Sequence, residues 1–137
     1  MKIVLDTNIL LQSLPVNGKM RPIWNAFLNE NIELIISNSI MLEYEEVLAN
    51  KTSSSIASNV VALISKAVNA YLVEIWYKWN AITIDPDDNK FFDAAVSGQA
   101  DYIVTNDKHF NVIKSIDFPK IEIIKADDFL KLLDTNK

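Results

Sequence analysis

The stretch AITIDPDDNKFFDAAVSGQADYIVTND, residues 81–107, contains the pattern that decides the fold. Its outer parts, AITI (81–84) and DYIVT (101–105), are short apolar runs of the kind that forms buried strands. Between them the apolar side chains follow helical spacing over residues 86–99, and Asp85 followed by Pro86 is typical of a helix start. The stretch therefore predicts a strand, a helix and a second strand.

The same alternation continues toward both ends of the chain. Further strands are predicted at KIVL (2–5), ELII (33–36) and IEIIK (121–125). Helices are predicted at residues 22–31, at 39–48, in one long helix whose apolar stripe runs from Val60 to Trp79, and at 126–134. Alternating strands and helices predict an α/β fold with a mostly parallel sheet, right-handed crossovers and helices on both faces.

Composition limits the classes of protein to consider. The 137 residues are 50% hydrophobic and include no linker, repeat or low-complexity tract, so a single domain over residues 1–137 is expected. Since the chain has no cysteine, disulfides, thiolate metal sites and cysteine nucleophiles are excluded. With only Gly18 and Gly98, a glycine-rich phosphate loop is excluded as well, which argues against ATP or dinucleotide use.

The net charge and the N-terminal sequence limit the binding partners and the location that can be expected for the protein. Lysine and arginine number 13 against 18 acidic residues, so the net charge of −5 argues against a loose, charge-driven DNA binder. The apolar run in MKIVLDTNIL (1–10) is interrupted by Asp6 and is too short for a signal peptide or a membrane span. A cytoplasmic protein without membrane association is therefore expected.

Acidic residues occur where the predicted strands end. Asp6 directly follows KIVL, Asp107 comes shortly after DYIVT, and Asp88 lies in the first turn of the helix after AITI. Carboxyl ends of parallel strands meet at one edge of a sheet, where sites form. Glu43 lies at the border of the apolar stripe of its helix and is oriented toward the body of the domain. These four acids are predicted to meet in one pocket.

Such a cluster needs a positive partner. Carboxylates a few ångströms apart repel each other unless a cation lies among them, and Mg²⁺ or Mn²⁺ prefers oxygen ligands. A bound divalent ion also attracts phosphate oxygens and activates water, which points to phosphodiester hydrolysis.

Each acid also has a purely structural interpretation. Asp88 suits a helix N-terminus, Asp6 and Asp107 can cap turns, and Glu43 can be an ordinary solvated helix charge. The functional hypothesis therefore rests on the coincidence of all four. The lone histidine, His109, is left out of the predicted chemistry, because a single histidine beside an aromatic residue is more often structural.

Four motifs together resemble the PIN domain family, and most closely its branch of toxin components of bacterial toxin–antitoxin systems, the VapC-like toxins. The motifs are LDTNIL (5–10), the acid within SIMLEYEEVL (39–48), DPDDNKFFDAA (85–95) and DYIVTND (101–107). The resemblance implies a three-layer α/β/α sandwich and an endoribonuclease that cleaves single-stranded RNA. It also implies a cognate antitoxin and a second copy of the chain as partners.

The resemblance assigns roles to individual positions. Asp6, Glu43, Asp88 and Asp107 match the acidic quartet that binds Mg²⁺ or Mn²⁺, and Asp93 matches a further acidic position in the same helix as Asp88. Asn8 and Thr105 match the polar residues around that site. Asn106 departs from the pattern, because relatives often have glycine or another residue there.

Two other functions stay open on sequence grounds. An aspartate after the first strand resembles the nucleophile of haloacid-dehalogenase-like phosphatases, although Asn8 occupies the place of their usual second aspartate. The other alternative is a non-catalytic interaction module with a vestigial acidic cluster. The sequence leaves undecided whether Trp76 and Trp79 belong to a partner interface or to the core.

Overall fold

The computed structural model describes residues 1–135 and contains one parallel sheet. Its strands are β1 (Lys2–Leu5), β2 (Glu33–Ile36), β3 (Ala70–Leu72), β4 (Tyr102–Val104) and β5 (Glu122–Ile124). They lie in the order β3-β2-β1-β4-β5, and every neighbouring pair is parallel. The predicted parallel α/β sheet is confirmed.

Helices cover the sheet. They are α1 (Thr7–Ser13), α2 (Arg21–Leu28), α3 (Asn38–Lys51), α4 (Ser54–Lys66), α5 (Asn89–Gly98) and α6 (Ala126–Thr135). Short 3-10 segments occur at Pro86–Asp88 and Lys108–Ser115. Helix α2 packs against α1 and α6, whereas α5 packs against β1, β2 and β4, so the sheet lies between helical layers. This is the predicted α/β/α sandwich.

Buried apolar strand residues hold these layers together. Ile3, Val4, Ile35 and Ile103 are all almost inaccessible to solvent and belong to one continuous hydrophobic core. At the end of α5, Gly98 lies so close to this core that a Cβ atom there would be 2.7 Å from Ile35 Cδ1. Glycine therefore allows α5 to pack at a short distance from β2.

The predictions for residues 60–84 were wrong in two respects. Helix α4 ends at Lys66, and the third strand is Ala70–Leu72 inside the predicted long helix. Buried Asn69 explains the break, because its side-chain amide donates to the carbonyl oxygens of Phe27 and Ile32, 2.9 and 2.8 Å away. These bonds hold the chain beside β2, where an extended conformation completes the parallel pairing.

The segment AITI (81–84) is not a strand. The amide and carbonyl groups of Ile82 are instead bonded by the side chain of Asn89 on α5, at 2.8 and 2.9 Å. Asp88 consequently lies at the start of α5 without following a strand directly. Helix α1, which the sequence analysis did not predict, begins at Thr7 immediately after Asp6.

Within the described residues, no helix combines the length and apolar character that crossing a membrane requires.

Candidate active site

Asp6 is the most enclosed acid of the predicted quartet, at 7% exposure. Thr105 Oγ1 donates to Asp6 Oδ2 over 2.6 Å, and the Asn8 backbone N–H also donates to this carboxylate. Burial raises the pKa of Asp6, while these two hydrogen bonds oppose the rise and the charges of Asp107 and Glu43 add to it. The carboxylate is therefore fixed in position beside other negative charges.

Asp107 is joined to Asp6 through Thr105. The Asp107 amide donates to Thr105 Oγ1 over 3.0 Å, so a single hydroxyl contacts both acidic positions. Asp107 Oδ1 accepts the His109 amide over 2.9 Å and thereby caps the 3-10 segment Lys108–Ser115. The Asp107 side chain therefore caps this segment and also lies beside Asp6 and Asp88.

Asp88 has a strongly raised pKa. Burial raises its pKa to about 7, and the charges of Asp85, Asp107 and Asp6 contribute in the same direction, whereas His109 opposes them. Among the described residues, Asp88 Oδ2 and His109 Nδ1 are the buried side-chain atoms without a hydrogen-bond partner. A buried carboxylate oxygen without a hydrogen-bond donor is able to accept a ligand or a cation.

Glu43 reaches the cluster from α3. The Thr7 hydroxyl donates to Glu43 Oε2, and Lys90 Nζ lies 2.8 Å from Glu43 Oε1. Because the charge of Glu43 contributes to the raised pKa of Asp6, the two carboxylates lie within electrostatic reach of each other. The structure therefore brings all four predicted acids to one edge of the sheet.

Comparison with known proteins identifies the family of this chain. The PIN domain family matches residues 2–109, which is most of the chain. The chain belongs to the PIN domain family. No curated protein sequence matches significantly.

Solved structures resemble this PIN domain over nearly its full length. A chain of VapBC2 from Rickettsia felis, bound to a DNA fragment from their promoter, has a TM-score of 0.63 at 15% identity, covering 91% of this chain and 98% of the other. VapBC-1 from nontypeable Haemophilus influenzae gives 0.59 at 18% identity, with coverages of 93% and 99%. FitAcB from Neisseria gonorrhoeae gives 0.56 at 13% identity, with coverages of 90% and 97%. At these identities the likeness concerns the fold.

Asp93 and Asn8 were also predicted to belong to the site, but their side chains take no part in the hydrogen bonds that connect Asp6 with Asp107. Asp93 is buried, and its Oδ1 accepts the backbone N–H of Trp79 over 3.2 Å. It is not among the charges that raise the pKa of Asp6 or Asp88. Asn8 has an exposed side chain and contacts Asp6 through its backbone N–H.

Asn106, where the sequence departs from the family pattern, has a structural role. Its Oδ1 accepts the backbone N–H of Ala126, the first residue of α6, over 3.0 Å.

Two site residues were missed by sequence reasoning. His109 Nδ1 lies 3.7 Å from Asp88 Oδ2 and 3.5 Å from Asp107 Oδ1, although His109 was set aside as structural. Lys90 was not predicted to belong to the site, yet it pairs with Glu43. Their positions close behind Asp107 and Asp88 in the sequence are the signal that could have found them.

The donor set fits a hard divalent cation. Carboxylate oxygens are the preferred protein ligands of Mg²⁺ and Mn²⁺, and the unpartnered Asp88 Oδ2 is a free acceptor within the cluster. Among the described residues, the group whose ligand atoms all lie within 4.8 Å of one another is Asp85, Asp88 and His109, so Asp88 is the one member of the predicted quartet within it. Burial and, after it, the neighbouring carboxylates raise the pKa of Asp88 to about 7, and such an ion would relieve the part that is due to repulsion.

Proposed function

We propose that this PIN domain is a divalent-metal-dependent endoribonuclease that hydrolyses phosphodiester bonds of single-stranded RNA. The observation that carries the proposal is the unpartnered, buried Asp88 Oδ2, which lies among the charges of Asp6 and Asp107. Residues 1–137 would act as a single nuclease domain.

In this proposal Asp6, Asp88 and Asp107 hold Mg²⁺ or Mn²⁺, and Glu43 completes the catalytic quartet. When bound, the ion supplies Lewis acidity toward phosphate oxygens and lowers the pKa of bound water. Asp93 would contribute no ligand, because its carboxylate is engaged with the Trp79 amide.

The remaining residues of the site keep the carboxylates in place. Thr105 bridges Asp6 and Asp107, so the two acids keep a fixed relation to each other. Lys90 and Thr7 hold the two oxygens of Glu43. His109 Nδ1 lies beside both Asp88 Oδ2 and Asp107 Oδ1 and so borders this side of the cluster.

The biological setting follows from the structures that share the fold. Because VapBC2 and VapBC-1 are among them, we assign this chain the role of the toxin in a toxin–antitoxin pair. Its partners would be a cognate antitoxin protein and a second copy of the chain, and its RNA substrate would be met in the cytoplasm.

Cleavage of a panel of small structured RNAs tests the activity. With Mn²⁺ the chain should cut single-stranded regions, and chelation by EDTA should stop the reaction. Asp6→Asn should lower the rate by orders of magnitude, because it removes a fixed carboxylate from the cluster. Glu46→Gln is the control, since Glu46 is an exposed acid on α3, the helix that also carries Glu43.

Two outcomes would refute the activity. One is the absence of Mn²⁺-dependent cleavage from the entire RNA panel with folded protein. The other is equal cleavage by the Asp6→Asn and Glu46→Gln variants, which would indicate that a contaminating nuclease acts on the RNA.

A further inference from the structure

Three polar side chains of α5 fasten the preceding chain segment onto the helix. Asn89 binds both backbone groups of Ile82, Asp93 accepts the Trp79 amide, and Ser97 donates to the Glu74 carbonyl over 2.8 Å. Asn89, Asp93 and Ser97 are spaced by four residues and so lie on one side of the helix. Residues 74–82 are therefore held in a defined position without belonging to a helix or strand.

This segment presents aromatic rings to solvent. Trp76 is 87% exposed and Tyr77 is 64% exposed. The Tyr77 ring packs on Trp79 at a centroid distance of 4.5 Å, and Trp79 in turn meets Phe118 at 6.2 Å. We name these four residues the aromatic platform. Large aromatic side chains are usually buried, so exposed rings on a backbone that is held in place are unusual.

A groove lies beside the fastened segment. Its volume is about 340 Å³, and its lining includes Lys78 and Asn80 from the fastened segment and Lys90 from α5. Lys90 also contacts the acidic cluster, since its Nζ pairs with Glu43. Asp87 and Asp93 also line the groove, but the Asp93 carboxylate is engaged with the Trp79 amide.

We propose that the aromatic platform and this groove bind single-stranded RNA next to the acidic cluster, with bases stacked on Trp76 and Tyr77 and phosphates beside Lys78. The proposal rests on the proposed ribonuclease function and adds a location for the substrate. Aromatic stacking combined with basic side chains along the backbone path is the general mode of single-strand binding.

The surroundings favour RNA over a protein partner for this surface. The groove is lined by Lys78, Lys90, Asn80 and Asn89 together with Asp87 and Asp93, and Lys90 pairs with Glu43 of the acidic cluster. In a chain with a net charge of −5, lysines placed between exposed rings and a carboxylate cluster suit a phosphate backbone. The platform also compensates for the scarcity of basic residues, because stacking does not depend on charge.

Binding in EDTA separates this proposal from cleavage. The probe is a short fluorescein-labelled oligouridylate, with an abasic oligonucleotide of equal length as its comparison. Trp76→Ala should weaken oligouridylate binding by about tenfold, as expected for the loss of one stacked base. Trp76→Phe should retain most of the affinity because it keeps an aromatic face, and Val16→Ala, at a residue 75% exposed elsewhere, should change nothing.

The phosphate contact has its own measurement. Lys78→Ala should reduce the slope of log affinity against log salt by about 0.7, the value for one phosphate contact on a single strand. The abasic probe should bind weakly to the unmodified chain and should be insensitive to Trp76→Ala, since it offers phosphates without bases.

Several outcomes overturn the proposal. Oligouridylate binding that is unchanged in Trp76→Ala and Tyr77→Ala overturns it even if Mn²⁺-dependent cleavage is observed, so the ribonuclease function would survive. Loss of binding accompanied by dissociation of a dimer in size-exclusion chromatography also overturns it, since the rings would then serve a protein interface. Tryptophan-dependent binding without any cleavage supports the platform and refutes only the nuclease.

Discussion

Asp88 carries much of the electrostatic cost of the acidic cluster. Its pKa rises from 3.8 to about 7 because its carboxylate is buried beside Asp85, Asp107 and Asp6. An acid whose pKa is raised on folding binds more protons in the native state than in the unfolded state between these two values. The free energy of unfolding therefore falls as pH rises through the window from 3.8 to about 7.

Asp88→Asn should remove this cost. In EDTA at pH 8 we expect the variant to be more stable than the parent by about 1–2 kcal/mol, measured by urea unfolding. At pH 4 the difference should nearly vanish, because Asp88 is then protonated in the folded parent. A stability difference that is equal at both pH values would contradict the electrostatic explanation. RNA cleavage should fall by orders of magnitude in the same variant.

Thr105 shows how one uncharged residue organises two acids. Its hydroxyl donates to Asp6 and accepts from the Asp107 amide, so Thr105→Val removes both contacts while keeping the shape of the side chain. We expect cleavage to fall by about 10- to 100-fold and stability by about 1–2 kcal/mol. Thr105→Ser restores the hydroxyl and should recover most of the rate. Equal rates for the valine and serine variants would argue against the bridging role.

At the scale of elements, α5 links the acidic cluster to the aromatic platform. The helix begins directly after Asp88, contributes Lys90 to Glu43, and fastens residues 74–82 through three polar side chains. Its C-terminal end approaches β2 closely at Gly98. A displacement of α5 would therefore move both the candidate catalytic acids and the proposed RNA platform.

Substitutions of Asp93 separate its two proposed roles. Asp93→Asn keeps an oxygen that can accept the Trp79 amide, so cleavage and Mn²⁺ stabilisation should stay within several-fold of the parent. Asp93→Ala removes the acceptor and should speed hydrogen–deuterium exchange at residues 79–82. Asn59→Ala, at an exposed position of α4, is the control. If Asp93→Asn abolishes Mn²⁺ stabilisation, Asp93 is a metal ligand as the family resemblance implied.

The elements also show how far the sequence could be interpreted. The strands at Lys2–Leu5 and Glu33–Ile36 were predictable because each is a short apolar run of buried residues. The strand Ala70–Leu72 was not, since the apolar residues that follow α4 continue its helical period. Buried Asn69 overrides that period by bonding to Phe27 and Ile32, which are distant in sequence.

At the scale of the whole molecule, folding creates a concentration of negative charge that a cation can relieve. Mn²⁺ should therefore stabilise the folded chain, because the carboxylates of the unfolded chain are far apart. At a concentration about 100 times the dissociation constant, the melting temperature should rise by roughly 5–10 °C. Asp6→Asn should abolish most of this increase, while Glu46→Gln should keep it. An equal increase in both variants would indicate nonspecific ion binding.

The sequence by itself determined the α/β class, the PIN resemblance and the four acids Asp6, Glu43, Asp88 and Asp107, because local apolar patterns and short motifs encode them. The tertiary structure alone decided the third strand, the contacts of Thr105, and the places of Asp93, His109 and Lys90. The physical reason is that hydrogen bonds and charges between residues distant in sequence depend on where folding places them. No periodicity along the chain records those distances.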